Sequence, residues 1–132
     1  MILVDSSVWI DYFRGDKNAH TQQLDAWLVQ PGIEVLVADL VLFEVLRGFG
    51  QDHAFQAAHD FLLELPSVEI GGMDNALKAA EHYRYLRAKG FTIKSPIDVL
   101  LASYCITHDQ TLLHRDVDFE AIETLRGLKA WH

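Results

Sequence analysis

The sequence has few of the residues that build disulfide frameworks, membrane spans or flexible linkers. Its 132 residues include one cysteine and three prolines, and no window approaches 18 uncharged apolar residues. A lone Cys105 cannot form an internal disulfide, and the N-terminus lacks the basic stretch and apolar segment of a signal peptide. We therefore expect neither secretion nor a membrane span, and a reducing cytoplasmic setting.

Basic residues are also scarce, with 11 Lys plus Arg against 19 Asp plus Glu and a net charge of −8. This acidity argues against non-specific wrapping of DNA, which depends on clustered cations. The first 66 residues hold 3 basic and 10 acidic side chains, whereas the second half holds 8 and 9. A polyanion is therefore expected to approach the second half.

Hydrophobic residues, in contrast, make up 50% of the chain, and they occur in short runs that alternate with longer helical patterns. We predict strands at residues 2–4, 34–37, 68–70 and 111–113, and helices at 8–14, 21–29, 40–49, 53–65, 74–89 and 95–108. Strand followed by helix, repeated, predicts an α/β fold: a three-layer α/β/α sandwich with a central, mainly parallel sheet.

Two acids lie where plain surface does not explain them. Asp5 directly follows the first strand, at the edge where open parallel sheets bind ligands, although it is also a good helix N-cap. Glu44 interrupts a helix that is apolar nearly all round, where an ionised carboxylate needs a partner. An ion pair with Arg47, one helical turn on, is the alternative.

Three further acids open the last two helical segments. Asp98 lies in the first turn of an apolar helix that begins at Ser95-Pro96, where a capping box is the alternative. Asp116 and Asp118 follow the last strand. Asp118 has an alternative role as the cap of a short helix beginning at Phe119, and Asp116 has one as a solvated loop acid.

Together these acids predict a carboxylate cluster at one end of the sheet. Two such charges about 5 Å apart repel by about 3 kcal/mol at an effective dielectric of 20, so a cluster needs a cation or protonation. Hard oxygen ligands without Cys/His spacing favour Mg²⁺, or Mn²⁺, over zinc. Carboxylate-held Mg²⁺ in turn favours phosphate chemistry.

The order Asp5-Ser6-Ser7, Glu44 in an apolar helix, Ile97-Asp98, then Asp116-Val117-Asp118-Phe119 resembles the PIN domain, specifically the VapC-type toxins of type II toxin–antitoxin pairs. The resemblance covers the whole chain and implies a single PIN domain over residues 1–132. It implies that Asp5, Glu44, Asp98 and Asp116 are catalytic metal ligands, with Ser7 and Asp118 as accessory residues. At position 114, many relatives carry Thr or Ser where this chain has His114.

The same resemblance implies a Mg²⁺- or Mn²⁺-dependent endoribonuclease, a hydrolase acting on ester bonds, that is neutralised by a cognate VapB-like antitoxin. A metal-activated water would attack an RNA phosphodiester. The resemblance also implies homodimers, a structured target such as a tRNA or ribosomal RNA, and contact with DNA only indirectly, through the antitoxin.

A basic stretch between residues 78 and 94 is the candidate RNA contact. The cations assigned to RNA binding are Arg84, Arg87, Lys89 and Lys94, together with Arg115 in the loop after the last strand. Tyr83 and Tyr85 are interleaved with them and could stack on bases, although an ordinary solvated helix face with core tyrosines is the alternative.

Aromatic residues on the first helices are mostly expected in the core. Those that line a groove would hold an antitoxin helix by its apolar face. The set is Trp9, Phe13, Trp27, Phe49 and Phe55.

Two rival functions remain open. A receiver-like phosphotransfer domain would have adjacent acids after the first strand and an Asp after the third, whereas Asp5 stands alone and residues 68–70 lead into Gly71-Gly72. A PIN-like binding module without catalysis is the second rival, and the presence of all four acids disfavours it.

Overall fold

A computed structural model describes all residues, 1–132. Five strands form one sheet in the order β3-β2-β1-β4-β5, and every neighbouring pair is parallel. The strands are β1 (Ile2–Val4), β2 (Val35–Ala38), β3 (Ser67–Val68), β4 (Thr111–Leu113) and β5 (Lys129–Ala130). The predicted α/β fold with a parallel central sheet is confirmed.

Seven helices flank the sheet. They are α1 (Ser6–Arg14), α2 (Ala19–Val29), α3 (Asp39–Leu46), α4 (Asp52–Leu63), α5 (Met73–Ala88), α6 (Pro96–His108) and α7 (Asp118–Arg126). The helices α1 to α4 contact one another, and α5, α6 and α7 form a second contacting group. None of these helices is both long enough and apolar enough to cross a bilayer.

The core lies between the sheet and these helices because the central strands are apolar on both faces. All residues of β1 and β2 are buried, as parallel strands covered by helices require. Trp9 and Phe119 are among the largest fully buried side chains. Cys105 is 1% exposed, and burial raises the pKa of its thiol to about 12.

The register of the sheet fixes where the functional residues emerge. Leu3 lies opposite Leu36 in β2 and Leu112 in β4. The backbone N–H of Asp5 then donates to the Leu113 carbonyl at 2.9 Å. The carboxyl ends of β1, β2 and β4 therefore meet at one edge of the sheet, the edge where open parallel sheets bind ligands.

The structure differs from the predicted elements mainly at the sheet margins. The strand predicted at 68–70 is only Ser67–Val68, because the Ile70 N–H donates to Asp39 Oδ1 at 2.8 Å instead of a strand. The edge strand Lys129–Ala130 was not predicted, since two residues carry no periodicity. The last helix begins at Asp118, one residue before the predicted start.

Candidate active site

Five acids from four separate parts of the chain meet at this edge. Asp98 shows their proximity most clearly. Burial, and then the charges of Asp5, Glu44, Asp116 and Asp118, together raise the pKa of its carboxyl to about 8. The other four acids therefore lie near enough to Asp98 for their charges to act on it.

Asp5 combines the two roles that its position suggested. Its Oδ2 accepts a short hydrogen bond from the Ser7 hydroxyl (2.6 Å) and a longer one from the Ser7 N–H (3.4 Å), which caps α1. Its Oδ1 is buried without any hydrogen-bond partner. Burial raises the pKa of Asp5 despite the Ser7 hydrogen bonds. One oxygen thus stabilises the helix while the other is buried and unpaired.

Glu44 does not form the ion pair that its spacing to Arg47 allowed. The Arg47 guanidinium lies over the Phe43 ring, 5.4 Å from the centroid. Glu44 Oε1 is buried with no hydrogen-bond partner. Burial raises the pKa of Glu44 and the Asp5 charge adds to this, whereas Ser6 and Arg47 oppose it. A second buried acceptor is therefore left without a donor.

Of the three remaining acids, only Asp116 makes a side-chain hydrogen bond at the start of a helix. Asp98 is 8% exposed and accepts no hydrogen bond, and the N-cap Ser95 makes no side-chain cap bond, so no capping box forms. The proposed Asp118 cap is wrong. Asp116 Oδ1 accepts from the Asp118 N–H at 3.0 Å, so Asp116 orders the start of α7 and Asp118 is its first residue.

These acceptors fit a hard divalent cation. The candidate ligands are all carboxylate oxygens, two of these oxygens are buried and unpaired, and burial together with mutual repulsion raises the pKa of Asp98. No three Asp, Glu, His or Cys side chains converge as a ready-formed metal cage. The chemical fit therefore rests on the unpaired oxygens and their charge.

Arg115 is engaged within the fold. Its Nε donates to Asp11 Oδ2 at 2.6 Å and its second guanidinium nitrogen to Asp11 Oδ1 at 3.1 Å. Asp11 is only 4% exposed, so this bidentate pair neutralises a buried carboxylate. The sequence did not predict Asp11 as a partner of the loop. The structure thus gives Arg115 a tethering contact between α1 and the segment after β4.

The other predicted RNA-binding cations form no ion pairs with acidic side chains. Arg84, Arg87, Lys89 and Lys94 are exposed and none forms a salt bridge. The tyrosines between them already carry cations. Arg126 lies 4.2 Å from the Tyr85 centroid and Lys89 5.5 Å from it, while Arg87 lies 5.5 Å from the Tyr83 centroid. The face thus presents positive charge, with its aromatic rings engaged.

The aromatic residues of the first helices divide between core and surface. Trp9 is fully buried and stacks on Phe13. Phe13 and Phe49 line a groove of about 370 Å³, walled only by apolar side chains from α1, α4 and the segment between α3 and α4. Trp27 packs edge-on against Trp131, and Phe55 is 36% exposed.

The strand order excludes the receiver-like alternative. Receiver domains share the doubly wound order β2-β1-β3-β4-β5, whereas this sheet is ordered β3-β2-β1-β4-β5. No second acid adjoins Asp5 either.

Comparison with known proteins agrees with this geometry. The PIN domain family profile matches residues 2–125. Ribonuclease VapC11 of Mycobacterium tuberculosis is 29% identical over 130 residues, covering 98% of this chain and 97% of the relative.

Two solved structures share the fold. One is VapBC2 from Rickettsia felis, described as bound to a DNA fragment from its promoter, with a TM-score of 0.79 and 18% identity over 99% of this chain and 98% of that chain. The other is Mycobacterium tuberculosis VapC20, described as a sarcin–ricin loop cleaving toxin, with a TM-score of 0.67 and 20% identity over 92% and 94% of the two chains.

Proposed function

Since the chain belongs to the PIN domain family, we propose that it is a VapC-type toxin that hydrolyses RNA with a divalent metal ion and is neutralised by a VapB-like antitoxin in the cytoplasm. One observation carries this proposal. Asp5 and Glu44 each have a buried oxygen without a hydrogen-bond partner, and their charges add to burial in raising the pKa of Asp98 to about 8. Such an arrangement destabilises a fold unless a cation relieves it.

The residues divide the work of phosphodiester hydrolysis. Asp5, Glu44, Asp98 and Asp116 would hold Mg²⁺ or Mn²⁺, which lowers the pKa of bound water and neutralises phosphate charge. Ser7 orients the Asp5 carboxylate by its 2.6 Å hydrogen bond, and Asp116 also orders the entry to α7. Asp118 adds negative charge beside Asp98. No histidine and no ribose 2′-OH is needed, and the product carries a 5′-phosphate.

The proposal is tested by incubating the purified protein with total cellular RNA and mapping the new ends. Cleavage with Mg²⁺ or Mn²⁺, 5′-phosphate ends and no cleavage with EDTA are expected. The substrate is expected among structured RNAs such as a tRNA or ribosomal RNA. Metal-independent cleavage would contradict the mechanism. Binding without cleavage at every metal concentration would favour the inactive-module alternative.

The unpaired cations on α5 support an RNA contact. Reversing two of them, Arg84→Glu with Arg87→Glu, is expected to raise the KM for RNA about tenfold or more and to flatten the salt dependence of binding, because each lost phosphate contact removes about one unit of slope. Cleavage rates at a series of RNA concentrations measure KM, and fluorescence anisotropy across a salt series measures the salt dependence of binding.

A reversal of equal charge at the end of α1 and in the loop after it, Arg14→Glu with Lys17→Glu, is the matched control and is expected to leave KM within about twofold. Equal behaviour of the two double variants would remove RNA binding from the α5 face.

The antitoxin is expected to occupy the apolar groove beside Phe13 and Phe49, as an amphipathic helix in a groove. The net charge of the first half of the chain, −7, complements a basic antitoxin segment that reaches the acids. Contact with DNA would then pass through the antitoxin. We further propose that the toxin is a homodimer.

A further inference from the structure

His114, directly after β4, departs from the family pattern, in which many relatives carry Thr or Ser. Its side chain is 4% exposed and lies against the Phe119 ring, with 4.7 Å between centroids. Both ring nitrogens are engaged. Asp116 N–H donates to Nδ1 at 3.2 Å, and Nε2 lies 2.8 Å from Glu123 Oε2.

These contacts determine the tautomer. Because Nδ1 accepts the Asp116 N–H, it carries no proton, and Nε2 carries the hydrogen that it donates to Glu123. Glu123 is suited to accept it. Burial opposes ionisation of Glu123, but hydrogen bonds from His132 and His114 outweigh this and lower its pKa. The second Glu123 oxygen accepts from His132 Nε2 at 2.6 Å.

The hydrogen bonds form a continuous chain from α7 to the active site. Glu123 holds His114, His114 holds the backbone of Asp116, and Asp116 Oδ1 holds the first N–H of α7. The loop that carries Asp116 is thus tied at its backbone to a rigid helix. Partners that orient ligands in this way typically account for 10- to 100-fold in metal affinity or activity.

We propose that His114 is a positioning residue which sets the orientation of Asp116 by accepting its backbone N–H, with Glu123 fixing the tautomer that makes this possible. His114 touches neither RNA nor the reacting atoms. The inference rests on the proposed function only insofar as Asp116 serves catalysis. The hydrogen-bond chain itself is independent of any activity.

Two isosteric substitutions separate the two ring nitrogens. Asparagine places an acceptor near the position of Nδ1, whereas glutamine places a donor near that of Nε2. His114→Asn is expected to keep activity within about threefold, and His114→Gln is expected to lose about tenfold or more and to need more Mg²⁺ for half-maximal cleavage. The control is His53→Gln, at an exposed histidine on α4 outside this hydrogen-bond chain, and it is expected to leave both values unchanged.

A second measurement needs no variant and no activity. Nitrogen NMR of the wild-type imidazole is expected to show His114 with an unprotonated Nδ1 and a protonated Nε2, and amide exchange is expected to show a protected Asp116 N–H. A protonated Nδ1, or His114→Gln matching His114→Asn in rate and Mg²⁺ dependence, would overturn the proposal. If the protein cleaves no RNA yet shows both NMR signatures, the proposed ribonuclease function is refuted, whereas the hydrogen bond between His114 and Asp116 is upheld.

Discussion

Replacement of Asp98 by asparagine is expected to lower the rate of RNA cleavage by about 100-fold or more, with little change in RNA binding. Asparagine keeps the size of the side chain but removes the charge that holds a divalent ion, and loss of a charge-stabilising contact to a transition state typically costs about 3 kcal/mol or more. Asp5→Asn is expected to behave in the same way. Single-turnover cleavage with saturating protein measures the effect.

Asp74→Asn is the matched control for this experiment. Asp74 also lies in the first turn of a helix, but it is exposed and outside the cluster. The Asp74→Asn variant is expected to cleave RNA at the wild-type rate. If Asp98→Asn cleaved at the same rate, Asp98 would have no part in catalysis, whatever the other acids do.

The metal-free protein is expected to lose stability as the pH rises, and Asp98→Asn is expected to suppress much of that loss. Burial and the charges of the neighbouring acids together raise the pKa of Asp98 from 3.8 to about 8, so folding favours its protonated form. The resulting stability is fully present below the unfolded pKa and disappears as the pH rises through the folded pKa. Near pH 8 the asparagine variant is expected to be more stable than wild type by about 1–2 kcal/mol, or several degrees in Tm.

Thermal unfolding in EDTA at pH 5 and pH 8 measures both proteins. The acids titrate as a coupled group, so the effect of Asp98 is read from the difference in Tm between wild type and variant, not from either unfolding curve alone. Mg²⁺ at pH 8 is expected to restore the stability of the wild type, because a ligand that binds the folded state stabilises it. The variant lacks one of the proposed ligands, so its stability is expected to rise less. A variant that is less stable than wild type in EDTA at pH 8 would contradict the repulsion argument.

Much of the site could be predicted because its acids follow strand ends, and the carboxyl ends of parallel strands share one edge. Asp5 and Asp116 illustrate this. What spacing could not decide was which local partner each acid takes. Glu44 has Arg47 one turn away, yet the guanidinium lies over the Phe43 ring and Glu44 Oε1 has no hydrogen-bond partner.

The long-range ties could not be predicted for a different reason. Asp11 and Arg115 are 104 positions apart, and only the pairing of β1 with β4 brings their segments together. The sequence likewise gives no sign that Glu123, an acid on a polar helix, forms a hydrogen bond with His114. The sequence marked His114 as a departure from relatives, but its two hydrogen-bond partners follow from the tertiary structure.

The buried thiol of Cys105 makes this protein a convenient host for spectroscopic probes. A cysteine that is 1% exposed and has its pKa raised to about 12 presents almost no thiolate to an alkylating reagent at neutral pH. A single cysteine introduced at the exposed Thr92, beside the cavity that Asp118 lines, would therefore be the only reactive sulfur in the folded chain. A nitroxide attached there would report its distance to a Mn²⁺ ion in the proposed site, and Cys105 could stay in place.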